Sequence, residues 1–476
     1  MSYIQFLGAA GVVTGSKHLI NTGDGTGKIG FQVLIDCGLF QGQKEWRDRN
    51  WDDLPIPARE IDAVVLTHAH LDHSGWIPRL VKQGYGGPVY ATPPTIDLCG
   101  ILLPDSGHLQ EEDAAFHNRH KTSKHDPALP LYTLQEAQNC LSLFRPANFG
   151  ESKQLSTELS FRFVRAGHIL GSSMVEITLN GGGASSRLLF TGDIGRMCNS
   201  QDSPGCVLRS GPTEHARCDY LVMESTYGNR EHPRNDPRPE LAALIRTTVQ
   251  RGGSVVVPAF AVERTQKFLF MLKDLMESDQ IPRVPVHADS PMAIRAVQIF
   301  LKYENEFSED TKALIEKYGS PLEWPNFYFD QTQQDSKRIN ESAYPAIIVS
   351  SSGMATGGRV LHHLAQRLPD PRNLVLFIGF QADGTRGFQI KNKAEEVKIF
   401  GQLVPVRAQV AALDQFSDHA DTPELLDWLR TFQAKPKQTF LVHGQPAAAT
   451  QLQQAMTSSL AWNVQVAAYK QKVPIT

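Results

Sequence analysis

Paired cysteines are what disulfide scaffolds and zinc-ribbon modules are built on, and this chain has none at CxxC spacing. Its six cysteines, Cys37, Cys99, Cys140, Cys198, Cys206 and Cys218, are scattered over 476 residues. In a chain of that length such thiols are expected as buried apolar side chains rather than as disulfides or metal ligands. Long hydrophobic runs are missing too: no stretch approaches the ~18 uncharged apolar residues that a membrane-spanning helix needs. The opening MSYIQFLGAAGVV has no basic segment ahead of an apolar core. No secretory leader, no membrane partner and a cytoplasmic location are therefore expected. A surplus of positive charge is also absent, with 47 Lys and Arg against 50 Asp and Glu. That balance excludes a protein that holds nucleic acid by bulk basicity and leaves any phosphate-rich ligand to a local site.

What the chain does have is a repeated grammar. Its length suits two or three folding units. Short apolar strands run into loops of small or polar residues and then into helices. FQVLID at 31–36 leads into CGLFQG, AVVL at 63–66 into THAHLDHSG, SRLLF at 186–190 into TGDIG, and DYLVM at 219–223 into ESTYG. Side chains just beyond the carboxyl ends of strands build the sites of layered α/β folds. After Gly228 the polar, proline-rich NREHPRNDPRPE marks a boundary. Further strand–loop–helix segments beyond it, from GGSVVVPAFAVERTQ to NLVLFIGFQADGTRG, predict a second, doubly wound unit. The stretch 110–133, with His117, His120 and His125, is expected to be an exposed excursion with solvated histidines.

Histidine is the informative residue. Of 16 in the chain, three crowd into His68-Ala69-His70-Leu71-Asp72-His73 at the exit of the AVVLT strand. Histidines at i and i+2 in a strand-exit loop can point the same way, while the following Asp-His pair turns into a helix and faces a neighbouring point. Imidazole nitrogens and carboxylate oxygens suit zinc and admit manganese. Four side chains cannot close a two-metal site, so further ligands should lie on similar loops. His168 in AGHILGSS, Asp193 in FTGDIG and His443 in FLVHGQ supply them. Each alone reads as readily as a structural residue; beside the first cluster they read as ligands.

These motifs, with Asp36 in LIDCG, resemble those of the metallo-β-lactamase superfamily. The resemblance implies two Zn2+ per chain, with Mn2+ as the alternative. One metal would take His68, His70 and His168, the other Asp72, His73 and His443, with Asp193 bridging. Asp36 would be the carboxylate that orients a ligand. MESTYG with Glu224, QFSDHAD with His419 and LVHGQ with His443 resemble motifs A, B and C of the β-CASP group, the nucleic-acid nucleases of the superfamily. VPAFAVERTQ, HADSPMA and SSGMATGGRVLHHL look like stretches of the bacterial and archaeal relatives of the 73-kDa subunit of the cleavage and polyadenylation specificity factor. The implied fold is α/β. A metallo-β-lactamase αββα sandwich would form from residues 1–228 and 414–476, with a doubly wound β-CASP domain inserted at 229–413 and the active site in the cleft between them.

Histidine at motif C goes with RNA-acting members and valine with DNA-acting ones, so His443 implies single-stranded RNA as the partner. Cleavage would be endonucleolytic, with exonucleolytic trimming also compatible. The chemistry agrees. Two metals ~3.5–4 Å apart lower the pKa of a shared water and clamp a phosphate oxygen. Asp72 would serve that chemistry as a ligand, and His419, held and charged by Glu224, could protonate the leaving oxygen. Phosphate contacts are expected from Ser351, Ser352, Gly353 and Thr356 in a helix-opening loop, which reads equally as tight turns. Arg264 is a candidate phosphate clamp that reads equally as a surface salt bridge. Asp289-Ser290-Pro291 has helix-capping chemistry, His287 is not expected to be a ligand, and His362-His363 is expected in packing. Gln445 and Asp418 depart from the glutamate and alanine usual in the group, which bears on rate and pH profile. A DNA nuclease, a thioester-type hydrolase and a non-catalytic RNA-binding partner are the competing readings. His443, the Glu224–His419 pair and the complete ligand set weigh against them in turn. A homo-oligomer is compatible with the sequence but not legible in it.

Overall fold

The computed structural model describes residues 2–23, 30–181, 184–197, 206–208, 211–213, 217–342, 345–382 and 384–475. Two compact units divide the chain. One comprises the described residues of 1–197, 211–231 and 419–476, the other those of 198–210 and 232–418. The chain crosses between them at 197/198, 210/211, Glu231/His232 and Asp418/His419; the last two lie a few residues after the expected boundaries, and the described residues of 198–210, expected in the first unit, group with the second.

The first unit holds two seven-stranded sheets. One orders Lys472–Pro474, Tyr3–Phe6, His18–Asn21, Gln32–Ile35, Ala63–Val65, Val89–Ala91 and Phe144–Pro146. The other orders Val464–Val466, Gln438–Val442, Tyr220–Glu224, Ala184–Phe190, Ser173–Gly181, Leu159–Arg165 and Ser152–Gln154. Residues from near both ends of the chain meet in the first sheet, where Lys472–Pro474 pairs antiparallel with Tyr3–Phe6. Strand alternation explains the layering. Ile4, Phe6, Val33 and Ile35 of one sheet share a core with Phe161, Phe163, Val175 and Ile177 of the other. Leu189, Leu221, Met223 and Leu441 point away from that core and pack with Trp428 and Leu452 of the helices Thr422–Arg430 and Pro446–Leu460.

The second unit is built on a six-stranded sheet, all of whose neighbouring pairs are parallel. Its order is Phe327–Phe329, Val286–Asp289, Ile347–Ser350, Val255–Pro258, Leu374–Phe377 and Gln409–Ala412. Continuous apolar strands are what a sheet covered on both faces requires. Val255 and Val257 accordingly lie in one core and Val256 in another.

Two sequence expectations change here. The helix Pro93–His120, started by the Thr92 cap and Pro93–Pro94, runs on through half of the supposed excursion. His117, His120 and His125 are nonetheless exposed. Cys37, Cys99, Cys140 and Cys218 are buried free thiols, but Cys206 is disulfide-bonded. Among the described residues no helix is long and apolar enough to cross a membrane.

One glycine couples fold to site. A Cβ on Gly38 would stand 1.6 Å from the backbone oxygen of Asp72. Gly38→Ala must therefore push the Asp72 turn away, and a cost of ~1–3 kcal/mol is expected. A lowered unfolding midpoint together with reduced zinc retention would bear this out; an unchanged midpoint would contradict it.

Candidate active site

All the expected metal ligands lie in the first unit, each at or just beyond the end of a strand. Asp36 follows Gln32–Ile35 with φ 59°, a left-handed turn that aims its carboxylate at the next loop. There its Oδ1 accepts from the Thr67 backbone N–H at 2.8 Å, and its Oδ2 accepts from Thr67 Oγ1 at 3.0 Å and His73 Nδ1 at 2.7 Å. With Nδ1–H committed to Asp36, His73 presents Nε2 to the site.

Two groups of donors result. His68, His70, His168 and Asp193 form one, and Asp72, His73 and His443 the other; within each group the donor atoms lie within 4.8 Å of one another. Asp193 reaches both. Its Oδ2 lies 3.5 and 3.6 Å from His68 and His168 Nε2, and its Oδ1 lies 3.3 Å from both His73 Nε2 and His443 Nδ1. His443 Nε2 stands 3.3 Å from Asp72 Oδ2.

The donor chemistry fits metal. Imidazole nitrogens face each other directly, His70 Nδ1 at 3.2 Å from both His68 and His168 Nε2, and His73 Nε2 at 3.3 Å from His443 Nε2. Asp193 Oδ1 is buried and accepts no hydrogen bond. Converging lone pairs around an unspent buried carboxylate oxygen are costly unless a cation sits among them.

The electrostatics point the same way. Burial opposes charge on His73, but Asp193 and Asp36 outweigh it and hold the imidazole well above its ordinary pKa. His443 is likewise raised against burial by Asp193 and Asp72. Burial works to raise Asp193, yet His443 and His73 hold it well below the usual carboxylate range. A cation entering the metal-free site must displace protons from these imidazoles. Zinc affinity is therefore expected to fall as pH drops and to keep rising above the ordinary histidine range, with proton release on loading. Affinity flat between about pH 6 and 8 would contradict this. Asp36→Asn, which removes the acceptor for His73 Nδ1–H, is expected to weaken zinc binding by ~10- to 100-fold.

Glu224 and His419 form a pair beside these groups, and Glu224 itself makes a third donor group with Asp193 and His443. Glu224 ends the strand Tyr220–Glu224, is fully buried, and accepts the Ile194 backbone N–H. Its two oxygens stand 3.2 and 3.1 Å from His419 Nδ1. An isolated bridge between Gly195 and His419 fixes the backbone. A Cβ on Gly195 would meet the Gly167 carbonyl at 1.8 Å, so only glycine lets the Asp193 loop lie against the loop of His168. The His419 ring lies tilted against that of His168, centroids 4.4 Å apart.

Two threonines escaped the sequence reading. Thr67 Oγ1 stands 3.0 Å from both His68 Nδ1 and Asp36 Oδ2. Thr226 Oγ1 lies 3.2 Å from His443 Nδ1 and donates to the His443 carbonyl at 3.0 Å. Each directly adjoins a motif residue, Thr67 beside His68 and Thr226 two past Glu224, but threonine there carries no signal of its own.

The expected phosphate contacts lie in the second unit. The loop of Ser351, Ser352, Gly353 and Thr356 is folded on itself. Ser351 Oγ meets Ser290 Oγ at 2.9 Å, Ser352 Oγ meets Thr356 Oγ1 at 3.0 Å, and the Gly353 carbonyl accepts from Gln381 Nε2 at 2.9 Å. Arg264 resolves toward an ion pair, and a buried one: it is 8% exposed, with Nε 3.3 Å from Asp418 Oδ2 and its guanidinium over Phe260. The unusual Asp418 is thus its partner. The capping motif acts through Ser290, while Asp289 accepts from His363 Nε2 and Ser336 Oγ at 2.6 Å and from Arg359 Nη1 at 2.8 Å. His363 is buried, but by hydrogen bonding rather than apolar packing, because a buried carboxylate requires donors. His287 stands 3.0 Å from Asp330.

Comparison with known proteins agrees with this architecture. Residues 27–93 match the metallo-beta-lactamase superfamily, residues 265–390 the Beta-Casp domain, and residues 403–467 the Zn-dependent metallo-hydrolase RNA specificity domain. Ribonuclease TTHA0252 of Thermus thermophilus is 36% identical over 92% of this chain and 92% of its own length. Transcription termination factor FttA of Methanosarcina mazei is 30% identical over 90% of this chain and 66% of its own length. A solved structure, a protein of unknown function from Enterococcus faecalis, shares the fold at TM-score 0.52 and 12% identity, covering 99% of both chains. With strand-end donors in the first unit, a doubly wound sheet in the second, and a relative of this identity matched almost end to end, the chain belongs to the metallo-β-lactamase superfamily, in its β-CASP branch.

Proposed function

We propose that the protein is a ribonuclease that hydrolyses single-stranded RNA phosphodiesters at internal positions with two zinc ions. The observation that carries the reading is the Glu224–His419 pair, a buried carboxylate on a partly exposed imidazole beside the His168 ring. A hydrolase that only needs an activated water has no use for it; a phosphodiester cleavage needs a proton for its leaving oxygen. His68, His70, His168, Asp72, His73, His443 and Asp193 would hold the metals, and bound zinc supplies water acidity and positive charge for a phosphoryl oxygen.

The chain's own residues do the rest. Asp36, accepting from His73 Nδ1, fixes which nitrogen faces the metal. Thr226 does the same for His443. Glu224, accepting from His419 Nδ1–H, leaves Nε2 as the proton-donating atom and stabilises the charged ring. In the second unit, the exposed Thr356 and the half-buried Ser352 remain the candidates for phosphate contact, whereas Arg264 is committed to Asp418. Histidine at position 443 favours RNA over DNA by the resemblance of motif C, and the names of both relatives are those of proteins that act on RNA or its synthesis.

The test is cleavage of one single-stranded RNA labelled at either end, beside the matched DNA. Internal products from both labels, with DNA intact, are expected. Ladders growing from one end only would convert the reading to an exonuclease, and preferential DNA cleavage would overturn it.

A further inference from the structure

The loop that follows Asp36 carries a cation–aromatic ladder that the catalytic chemistry does not use. Arg49 lies between two rings, its Cζ 4.3 Å from the Trp46 ring and 4.4 Å from that of Tyr469. Lys470 adds a fourth tier, with Nζ 5.2 Å from the Tyr469 ring. The two segments that meet here are more than four hundred residues apart in sequence and share the first unit.

Three features distinguish this from a loose surface loop. First, the loop is braced. The Asn50 side chain exchanges hydrogen bonds with Phe40 N and O at 2.8 and 2.7 Å, and Trp76 Nε1 donates to the Asn50 carbonyl at 2.9 Å. Second, the Arg49 guanidinium lies over two rings and its N–H groups are unspent: among the described residues they make no hydrogen bond and no ion pair. Third, Trp46, Arg49 and Tyr469 are all only half-buried. A guanidinium held against aromatic rings with its N–H fork unspent can take phosphate oxygens in pairs. The Trp46 ring beside it offers a platform to an unpaired base. An acidic peptide would satisfy the fork but leave the rings idle.

We propose that Trp46, Arg49 and Tyr469, with Lys470, form a binding site for single-stranded RNA outside the catalytic centre, Arg49 taking a backbone phosphate, the Trp46 ring stacking on a flanking base and Tyr469 holding Arg49 in place. The site rests on the reading that RNA is the substrate, and it would serve the part of a long strand that is not being cut. Binding energy on a remote stretch of substrate selects length rather than chemistry.

The experiment uses the zinc-loaded full chain with fluorescent single-stranded RNAs of about 20 and about 4 nucleotides, across a salt series. Arg49→Met and Trp46→Ala are expected to weaken binding of the longer RNA by on the order of 5- to 100-fold. The salt slope should be shallower for Arg49→Met by about 0.7, one phosphate contact. Arg49→Lys, which keeps the charge without the fork, should fall between. The loss should appear in Kd and KM for the longer RNA and not for the short one. Variants with wild-type melting and zinc content that bind the longer RNA as tightly as wild type, at the same salt slope, would overturn the site. Equal losses at both lengths would also overturn it, by showing a disturbed catalytic unit. A wild-type protein that binds RNA through these residues yet cuts none would count against the ribonuclease reading and leave the site standing.

Discussion

Alanine at Asp193 is expected to reduce RNA cleavage by a factor on the order of 10³ or more and to strip zinc from the protein. Asp193 reaches both donor groups with its carboxylate, through Oδ2 to His68 and His168 and through Oδ1 to His73 and His443. Its removal leaves two imidazole clusters with converging nitrogens and no shared anion. A bound metal contributes several kcal/mol of charge stabilisation to phosphoryl transfer, and each 1.36 kcal/mol is tenfold in rate. The side chain is almost fully buried, so the variant needs a fold control. Circular dichroism and melting should show a folded protein, while metal analysis shows the loss. A variant that keeps full zinc content and cuts RNA at an appreciable rate would remove Asp193 from the centre.

Losing the proposed proton donor has a different signature. His419→Ala should lower kcat by about 10²- to 10⁴-fold and leave zinc content intact, since the imidazole lies outside both donor groups. A general acid must carry its proton, so activity in the wild type should fall as pH rises through the pKa of this histidine. In His419→Ala that alkaline limb should vanish, and the remaining rate should be flat or rise with pH. Glu224→Gln keeps the size of the acceptor but not its charge. It should weaken the charged imidazole and move the alkaline limb to lower pH, with a smaller loss of rate than His419→Ala. A His419→Ala protein with an unchanged alkaline limb would assign the proton to another group.

The candidate ligands that the structure brings together were legible because their chemistry is local. His68, His70, Asp72 and His73 share one strand exit, and His168, Asp193 and His443 each repeat the pattern of apolar strand, glycine and polar side chain. The parallel sheet of the second unit was legible for a similar reason, since strands such as VVVP at 255–258 are apolar on both faces. Pairings across long separations were not. Asp289 and His363 are 74 residues apart, and nothing near either says that a capping motif and a packing histidine will bond at 2.6 Å. Arg264 and Asp418 read separately as a phosphate clamp and an odd substitution, and only the fold makes them a pair. Thr67 and Thr226 were invisible because hydroxyls beside motif residues are common, and their value lies in which imidazole nitrogen they face.

Reconstitution tests the central claim most directly. Protein stripped of metal by a chelator would be titrated with zinc, and cleavage of end-labelled single-stranded RNA followed against bound zinc per chain. Cleavage absent from the stripped protein, and saturating as the second equivalent binds, is the predicted course. Undiminished cleavage by the stripped protein, or intact RNA with both equivalents bound, would contradict a two-zinc ribonuclease.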